Sequence, residues 1–574
     1  MPIRDVSSYR TAVFDSETDP FLADRFPKPF ACGFMTGDHY KQTWGENCIA
    51  DMMTHMASWK EPLLIFVHNG GRFDFHFLFD HVSEPVFIIN SRLVEFCQET
   101  PGGRHIWRDS VVILPMALAQ YQKETIDYRI MEADKRDLPR NRKTIEKYLE
   151  SDCSNLLALV SRFRFEFEDL DAKPKLHMPI TIGQTAMRKM RELHPFARAT
   201  AATDAAMRPY YHGGRVQCFQ GGIVPGPWQV YDVNSSYLAA MKFYDHPLTD
   251  DWEEVDLPRQ TVGKRWKIPA AWGKVWFADI TARNRNALPM KTDTGTRFDV
   301  PLGRFHACSH ELILALRYGL VDVLEWHSIQ VPIEVGRFGD FVDFFTERKI
   351  AAELAGDKGG RLIWKIAGNA GYGKFGQDPT KYQTWEILRH PAGDKRLRRL
   401  GFEPQLLVNH DPENWIELWA APAPVQSAAY YNVGIGASIT SASRAILLEG
   451  LQQAVDPVYC DTDSIICKSF SGEIHHNKLG AWKSELEENA DFVAIGGRKT
   501  YALYKGKGRK SSDYLKMASK GGDLSGMEIL RLCKGGEIEQ TSSVPLFSVK
   551  SEPRFLTRKF RMTVDSDGKP IVAS

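Results

Sequence analysis

The 574 residues, 43% hydrophobic and 25% charged, have an ordinary globular composition that sets aside fibrous and disordered classes and leaves room for roughly three to five domains. No run approaches the roughly 18 apolar residues of a membrane span, and Met1-Pro2-Ile3-Arg4-Asp5 carries no apolar signal core, so a cytoplasmic location is expected. The nine cysteines are scattered without a Cys-x-x-Cys pair, which argues against a zinc site or disulfide framework, and a net charge of +1 argues, as an average, against a nucleic-acid binder.

The first predicted element, Thr11-Ala12-Val13-Phe14-Asp15-Ser16-Glu17-Thr18, is an apolar strand running into two acids at i and i+2, on one face. Ile65-Phe66-Val67-His68-Asn69-Gly70-Gly71-Arg72-Phe73-Asp74 reads as a second strand, a Gly-Gly turn and a further carboxylate. Lys123-Glu124-Thr125-Ile126-Asp127-Tyr128 follows, and then Tyr148-Leu149-Glu150-Ser151-Asp152, a phenol and a carboxylate at i and i+4 of a helix. Taken alone, this last pair also fits a solvated helix face. Tyr211-His212-Gly213-Gly214-Arg215 is equally a Gly-Gly turn.

Val230-Tyr231-Asp232-Val233-Asn234-Ser235-Ser236-Tyr237 ends a β-prone run on an aspartate, with an aromatic five residues on. After Glu347-Arg348-Lys349 comes Lys365-Ile366-Ala367-Gly368-Asn369-Ala370-Gly371-Tyr372-Gly373-Lys374-Phe375-Gly376, in which a helix places Lys365, Asn369 and Tyr372 on one face. A helix ending in glycines with an exposed lysine is the plainer reading. Lys381 to Leu388 alternates like a strand, Lys395, Arg396, Arg398 and Arg399 follow, and Asn414 to Trp419 is a further β-prone run, so Lys381 to about Trp415 is predicted to be a protruding β-hairpin with a basic tip.

Tyr459-Cys460-Asp461-Thr462-Asp463-Ser464 sets two carboxylates one residue apart, on one face if extended, and fit for a hard cation; a hairpin turn fits the same residues. Arg498-Lys499-Thr500-Tyr501 follows. Residues 498–574 hold 16 Lys and Arg against 8 Asp and Glu, with Lys505-Gly506-Lys507-Gly508-Arg509-Lys510 and Lys516 to Lys520 as candidate phosphate contacts or solvated loops. No Gly-Lys-Ser/Thr of the Walker type occurs, so unwinding by ATP hydrolysis is not expected.

In their order, Asp232, the Lys365–Gly376 segment and Asp461–Asp463 resemble polymerisation motifs A, B and C of the family B DNA polymerases. Asp15 with Glu17, Asn69 with Asp74, and Tyr148 with Asp152 resemble the Exo I, II and III motifs of 3′–5′ proofreading exonucleases. The resemblance implies an α/β and α+β multidomain chain. A ribonuclease H-like exonuclease domain would span 1–190, and a right-hand polymerase domain 191–574. The latter would comprise palm (191–249 and 425–495), a first insertion (250–340), fingers (341–376), a second insertion (377–424) and thumb (496–574).

It also implies two Mg²⁺ or Mn²⁺ ions per site, roughly 3.5–4 Å apart, with dNTP substrates. Asp232 and Asp463 would be the polymerisation ligands with Asp461 supporting, and Asp15, Glu17, Asp74 and Asp152 those of the exonuclease. Lys365 and Lys349 would meet the triphosphate, Tyr237 would block a 2′-hydroxyl, and Tyr372 with Asn369 would contact the nucleotide. Lys499 and Tyr501 match a Lys-x-Tyr motif that steadies the primer terminus; Tyr148 would orient the attacking water and Asn69 hold the single-stranded end.

Tyr211, Gly213 and Gly214 resemble the Tyr-x-Gly-Gly loop, and Lys123 the exonuclease lysine motif, of protein-primed members, with the tectivirus type most similar. Roughly 120 residues between motifs A and B and roughly 80 between B and C match that branch's two insertions. The implied partners are template and primer DNA, a terminal protein as primer and a single-stranded DNA-binding protein. The implied state is a monomer, or a heterodimer with the terminal protein, without a membrane, in the cytoplasm of a bacterial host. Ser236 and Leu238 around Tyr237, and Ala370-Gly371 in motif B, depart from the commonest wording, and the second shortens the expected helix. A nucleic-acid-primed family B polymerase and a catalytically idle nucleic-acid-binding relative are the competing readings.

Overall fold

The structure, a computed structural model, describes residues 6, 8–22, 25–116, 118, 124–168, 180–255, 273–293, 295–411, 413–423, 431–508, 510, 513–542, 544–564 and 570–573. Lys123 and Arg509 lie outside the described residues.

The N-terminal region is built on seven strands: β1 (Arg10–Thr18), β2 (Pro29–Thr36), β3 (His39–Trp44), β4 (Leu63–Val67), β5 (Ser83–Ile89), β6 (Arg92–Thr100) and β7 (Gly103–Asp109), in the order β3-β2-β1-β4-β7-β6-β5. β1, β4 and β7 run parallel at the centre, and the other pairs are antiparallel. β4 reads Leu-Leu-Ile-Phe-Val and is buried throughout, as a parallel strand covered on both faces must be. Alternate side chains divide it between two cores. Leu64 and Phe66 pack with Leu149, Cys153 and Leu156 of helix α2 (Pro139–Glu168), while Leu63, Ile65 and Val67 pack with Met52, Met53 and Met56 of helix α1 (Cys48–Ala57).

The central sheet holds eight strands. β8 (Val216–Cys218), Tyr459–Asp461, Ser464–Cys467 and β9 (Gly222–Val233) are neighbours in that order, followed by Ala490–Gly497, Thr500–Tyr504 and Tyr514–Ala518, with Trp482–Ser484 also paired to β9. The helix Val433–Gln453 is buried along nearly its whole length, and its small residues Gly434, Gly436, Ala437, Ser438 and Ser441 leave room for neighbours on every side. Helices Gly339–Leu354 and Lys358–Ala370 form a pair whose turn is fixed by the Asp357 side chain, which accepts from the Gly360 amide at 3.0 Å and pairs with Arg162 of α2.

The stretch expected as a first insertion contains a four-stranded sheet (Trp252–Glu254, Phe277–Asn284, Leu302–Cys308, Val321–Pro332) carrying helix Ser309–Arg317. The second departs from the expected hairpin. Gln383–Leu388, Glu403–Asn409 and Ile416–Pro422 form a three-stranded antiparallel sheet with Ile416–Pro422 in the middle, and the basic residues occupy the short helix Asp394–Arg399. Arg396 pairs with Glu386 at 2.6 Å, and Arg398 pairs with Asp394 at 3.5 Å and lies over the Trp419 ring. This sheet is anchored: Trp385, Ile416 and Leu418 share a core with Phe79, Val82 and Val86 of the N-terminal region. Near the C-terminus, the hairpin Leu546–Ser548/Ser551–Arg554 sends Phe547 against Phe73, His76 and Phe77.

Candidate active sites

In the central sheet, Asp232 stands opposite Ser464, which stands opposite Asp461. Two segments far apart in sequence are thereby brought side by side by strand register alone. Thr462 has φ +60°, so Asp461 ends one strand and Asp463 sits in a two-residue turn before the next. The hairpin reading of Asp-Thr-Asp describes the backbone, and the two acids are not successive positions on one strand face. The turn is clamped: the Asp463 amide donates to the Asp461 carbonyl at 2.6 Å, and the Val233 amide to the Asp463 carbonyl at 2.8 Å.

Burial, with the charges of Asp232 and Asp461, pushes the Asp463 carboxyl up to about 7. Crowded carboxylates of this kind are relieved by a cation. All three donors are hard oxygens, a set suited to Mg²⁺ or Mn²⁺ rather than to a soft metal. Two lysines from elsewhere already lean on the group, Lys483 Nζ to Asp232 at 3.2 Å and Lys499 Nζ to Asp461 at 2.9 Å.

Tyr237 stacks on Tyr372 with ring centroids 4.0 Å apart. Helix Lys358–Ala370 carries Lys365 and Asn369 and stops at Ala370, so Tyr372 follows in a separate turn; Asn369 Nδ2 donates back to the Lys365 carbonyl at 2.9 Å. Lys349 is held below the ordinary lysine range by burial first, and then by the charges of Arg361, Lys365 and Lys483. Lys499, also at φ +60°, makes the turn before Thr500–Tyr504; its amide donates to Tyr459 Oη at 2.8 Å, and the Tyr459 and Tyr501 rings lie 4.9 Å apart. The Gly-Gly loop reaches the same place: a Cβ on Gly214 would come within 2.8 Å of Thr462 and 3.1 Å of the Tyr237 hydroxyl, while the Tyr211 ring covers Gly376.

The second site lies on β1 and α2. Ligand oxygens of Asp15, Glu17 and Asp152 are all within 4.8 Å of one another, the geometry and donor type that a hard cation takes. Asp74 is not in that group of three: its Oδ1 accepts from Ser16 Oγ at 2.5 Å, and Ser16 alternates to the opposite face of β1 from Asp15 and Glu17. Burial raises the Asp74 carboxyl to about 7. The buried Tyr148 phenol is hydrogen-bonded to Tyr128 at 3.1 Å and raised by burial, then by that bond and by Asp152 and Glu17. Asn69 adopts φ +63° at the turn, with its Oδ1 accepting from Arg92 at 3.0 Å.

Sequence reasoning passed over Lys483 and Glu485. Lys483 bridges Asp232 and Glu485, and Glu485 pairs with Lys516. Trp482-Lys483-Ser484-Glu485 carries no local signal of this; only its pairing with β9 puts Lys483 opposite Asp232. Of the basic C-terminal candidates, Lys505 is engaged by Glu488 and Asp491 and Lys516 by Glu485.

Residues 106–446 match the family described as DNA polymerase type B, organellar and viral. The DNA-directed DNA polymerase of Enterobacteria phage PRD1 is 35% identical over 587 aligned positions, covering 97% of this chain and 98% of that protein. A probable DNA polymerase of Ascobolus immersus is 26% identical over 46% of this chain and 22% of its own length. Among solved structures, Phi29 DNA polymerase complexed with primer-template DNA and incoming nucleotide substrates superposes with a TM-score of 0.66 at 16% identity, covering 98% of this chain and 100% of that one. The same polymerase complexed with single-stranded DNA gives 0.64 at 15%, over 96% and 100%. At those identities the likeness concerns the fold.

Proposed function

The chain belongs to the type B DNA polymerases of organelles and viruses, and from that premise we propose a DNA-directed DNA polymerase with two separate sites. Extension takes place at Asp232, Asp461 and Asp463, and removal of 3′-terminal nucleotides at Asp15, Glu17 and Asp152 with Asp74 nearby. In this reading the N-terminal sheet is the ribonuclease H-like exonuclease domain, the central sheet the palm, the helix pair at 339–370 the fingers and the C-terminal segment the thumb. The observation that carries it is the register that aligns Asp232, Ser464 and Asp461 across three neighbouring strands.

Divalent cations held by these carboxylates would supply Lewis acidity, which sharpens an attacking oxygen and stabilises a leaving one. The protein's own groups do the positioning. Lys349 and Lys365, whose charges act on one another, take the triphosphate charge. Tyr237, stacked on Tyr372, is the surface against which the incoming sugar lies, and Tyr372 with Asn369 contacts the nucleotide itself. Lys499 and Tyr501, beside Asp461, steady the primer end. In the second site Tyr148 orients a water toward the terminal phosphodiester, and Asn69 holds the frayed strand.

Asp232→Ala or Asp463→Ala is expected to abolish primer extension and leave degradation of single-stranded DNA largely intact; extension surviving either change would remove the central reading. Asp15→Ala with Glu17→Ala is expected to do the converse. Priming by a protein is the finer part of the proposal and draws its support from the two inserted segments. An initiation assay with a candidate terminal protein, labelled dNTP and Mg²⁺ tests it: a covalent protein–nucleotide adduct supports it, and extension of DNA primers alone favours a nucleic-acid-primed enzyme.

A further inference from the structure

Glu311 and Arg444 form a fully buried ion pair, their side chains 1% and 2% exposed. Arg444, on helix Val433–Gln453, is bidentate to Glu311, Nε to Oε2 at 2.8 Å and Nη2 to Oε1 at 2.5 Å. Its remaining arm, Nη1, donates to the carbonyls of His212 at 2.7 Å and Gly213 at 3.0 Å. A buried pair of this kind contributes little net stability, because desolvation of both charges offsets most of their attraction. What it does fix is geometry: one face of the guanidinium is aimed by the carboxylate and the other grips two carbonyls of the Gly-Gly loop.

That loop is not remote from the chemistry. Gly214 follows directly and is so close to Thr462 and the Tyr237 hydroxyl that no side chain fits between them. The Thr462 amide donates to the Arg215 carbonyl at 2.6 Å, which ties the loop to the turn carrying Asp461 and Asp463. Ser443, next to Arg444, is hydrogen-bonded at 2.8 Å to Ser236, next to Tyr237. Glu311 itself belongs to the segment read as the first insertion, on helix Ser309–Arg317.

We propose that Glu311 is a positioning residue for polymerisation, orienting Arg444 so that the 212–215 loop holds the Asp461–Asp463 turn and the Tyr237 ring in register. This rests on reading that turn as the polymerisation site. Because Glu311 sits in the inserted segment, displacement of that segment is transmitted to the nucleotide pocket through two side chains and one loop.

Glu311→Gln keeps the shape and an acceptor but removes the charge that aims the guanidinium. Arg444→Lys keeps a cation for Glu311 but cannot serve two carbonyls and the carboxylate together. Each variant is expected to lower kcat/KM for dNTP extension roughly 10- to 100-fold, the effect of a small misplacement at the reacting groups. Each is also expected to reduce the preference for dNTP over rNTP, while degradation of single-stranded DNA at the same temperature is unchanged. A purely structural pair would lower both activities together and leave sugar discrimination alone. The double swap Glu311→Arg with Arg444→Glu separates the cases further, since it restores the attraction but turns a carboxylate toward the two carbonyls; recovered extension there would overturn the proposal. So would wild-type discrimination in folded Glu311→Gln. Asp463→Ala in parallel tests the underlying site: extension without Asp463 refutes the site, whereas loss there with unchanged Glu311→Gln refutes only this inference.

Discussion

At the scale of single residues, function depends on groups that are individually ordinary. Tyr237 is an aromatic side chain near a strand end, yet its ring stacks on Tyr372 and its hydroxyl lies beside Gly214, so under the proposed reading its freedom to move away from a 2′-hydroxyl is restricted. Tyr237→Val is therefore expected to lower discrimination against ribonucleotides by roughly a hundredfold, the scale on which a pocket rejects one extra hydroxyl by shape, with little change in dNTP kcat. Competition between dNTP and rNTP on a primed template measures it, and an unchanged ratio would place the gate elsewhere. Lys483 makes the opposite point. Its ion pair with Asp232 is partly exposed, so its worth lies in the electrostatics of the carboxylate group and not in stability.

At the scale of elements, the seam between helix Val433–Gln453 and its neighbours contains two histidines kept neutral. His246 is bonded to Ser438 at 2.8 Å and to the Ala240 carbonyl at 3.0 Å; His310 is bonded to the Asp245 carbonyl at 3.0 Å and to Ser438 at 3.1 Å. Burial first pushes them down to about 3 and about 4, against an ordinary value of 6.5. The unfolded chain thus binds protons that the folded chain refuses. Their stabilising contribution is complete above pH 6.5 and is lost as pH falls from 6.5 toward 3–4. The melting temperature should decline through that window, and His246→Gln should flatten the decline even if it lowers the plateau by roughly 2–5 °C. Parallel pH profiles for both proteins would contradict the assignment.

At the scale of the whole molecule, segments distant in sequence close on one another. The three-stranded sheet at 383–422 shares its core with the N-terminal region, and Phe547 docks beside Phe73 and Phe77. Leu418→Ala, at a fully buried position of that shared core, is expected to cost about 2–5 kcal/mol by loss of buried area and the cavity left behind. Denaturant unfolding measures it. If the sheet also retains DNA, its removal should shorten products under single-binding conditions and stop synthesis at a nicked duplex while short gap filling persists. Undiminished strand displacement after removal would assign the sheet a packing role only.

What the sequence by itself determined is the local chemistry. Period-2 alternation put Asp15 and Glu17 on one face of β1, the i, i+4 spacing put Tyr148 and Asp152 on one face of α2, and motif order pointed to the family to which the chain belongs. These depend on neighbours within a few residues. The tertiary structure alone decided which strands lie beside which. It brought Lys483 opposite Asp232, turned Asp74 toward Ser16, buried Glu311 against Arg444, and made a three-stranded sheet where a hairpin was expected, because a central strand from 416–422 enters between the two. Strand alternation reports which face a residue occupies but carries nothing about the partner strand. That choice is made by burial and hydrogen-bond pairing over the whole chain.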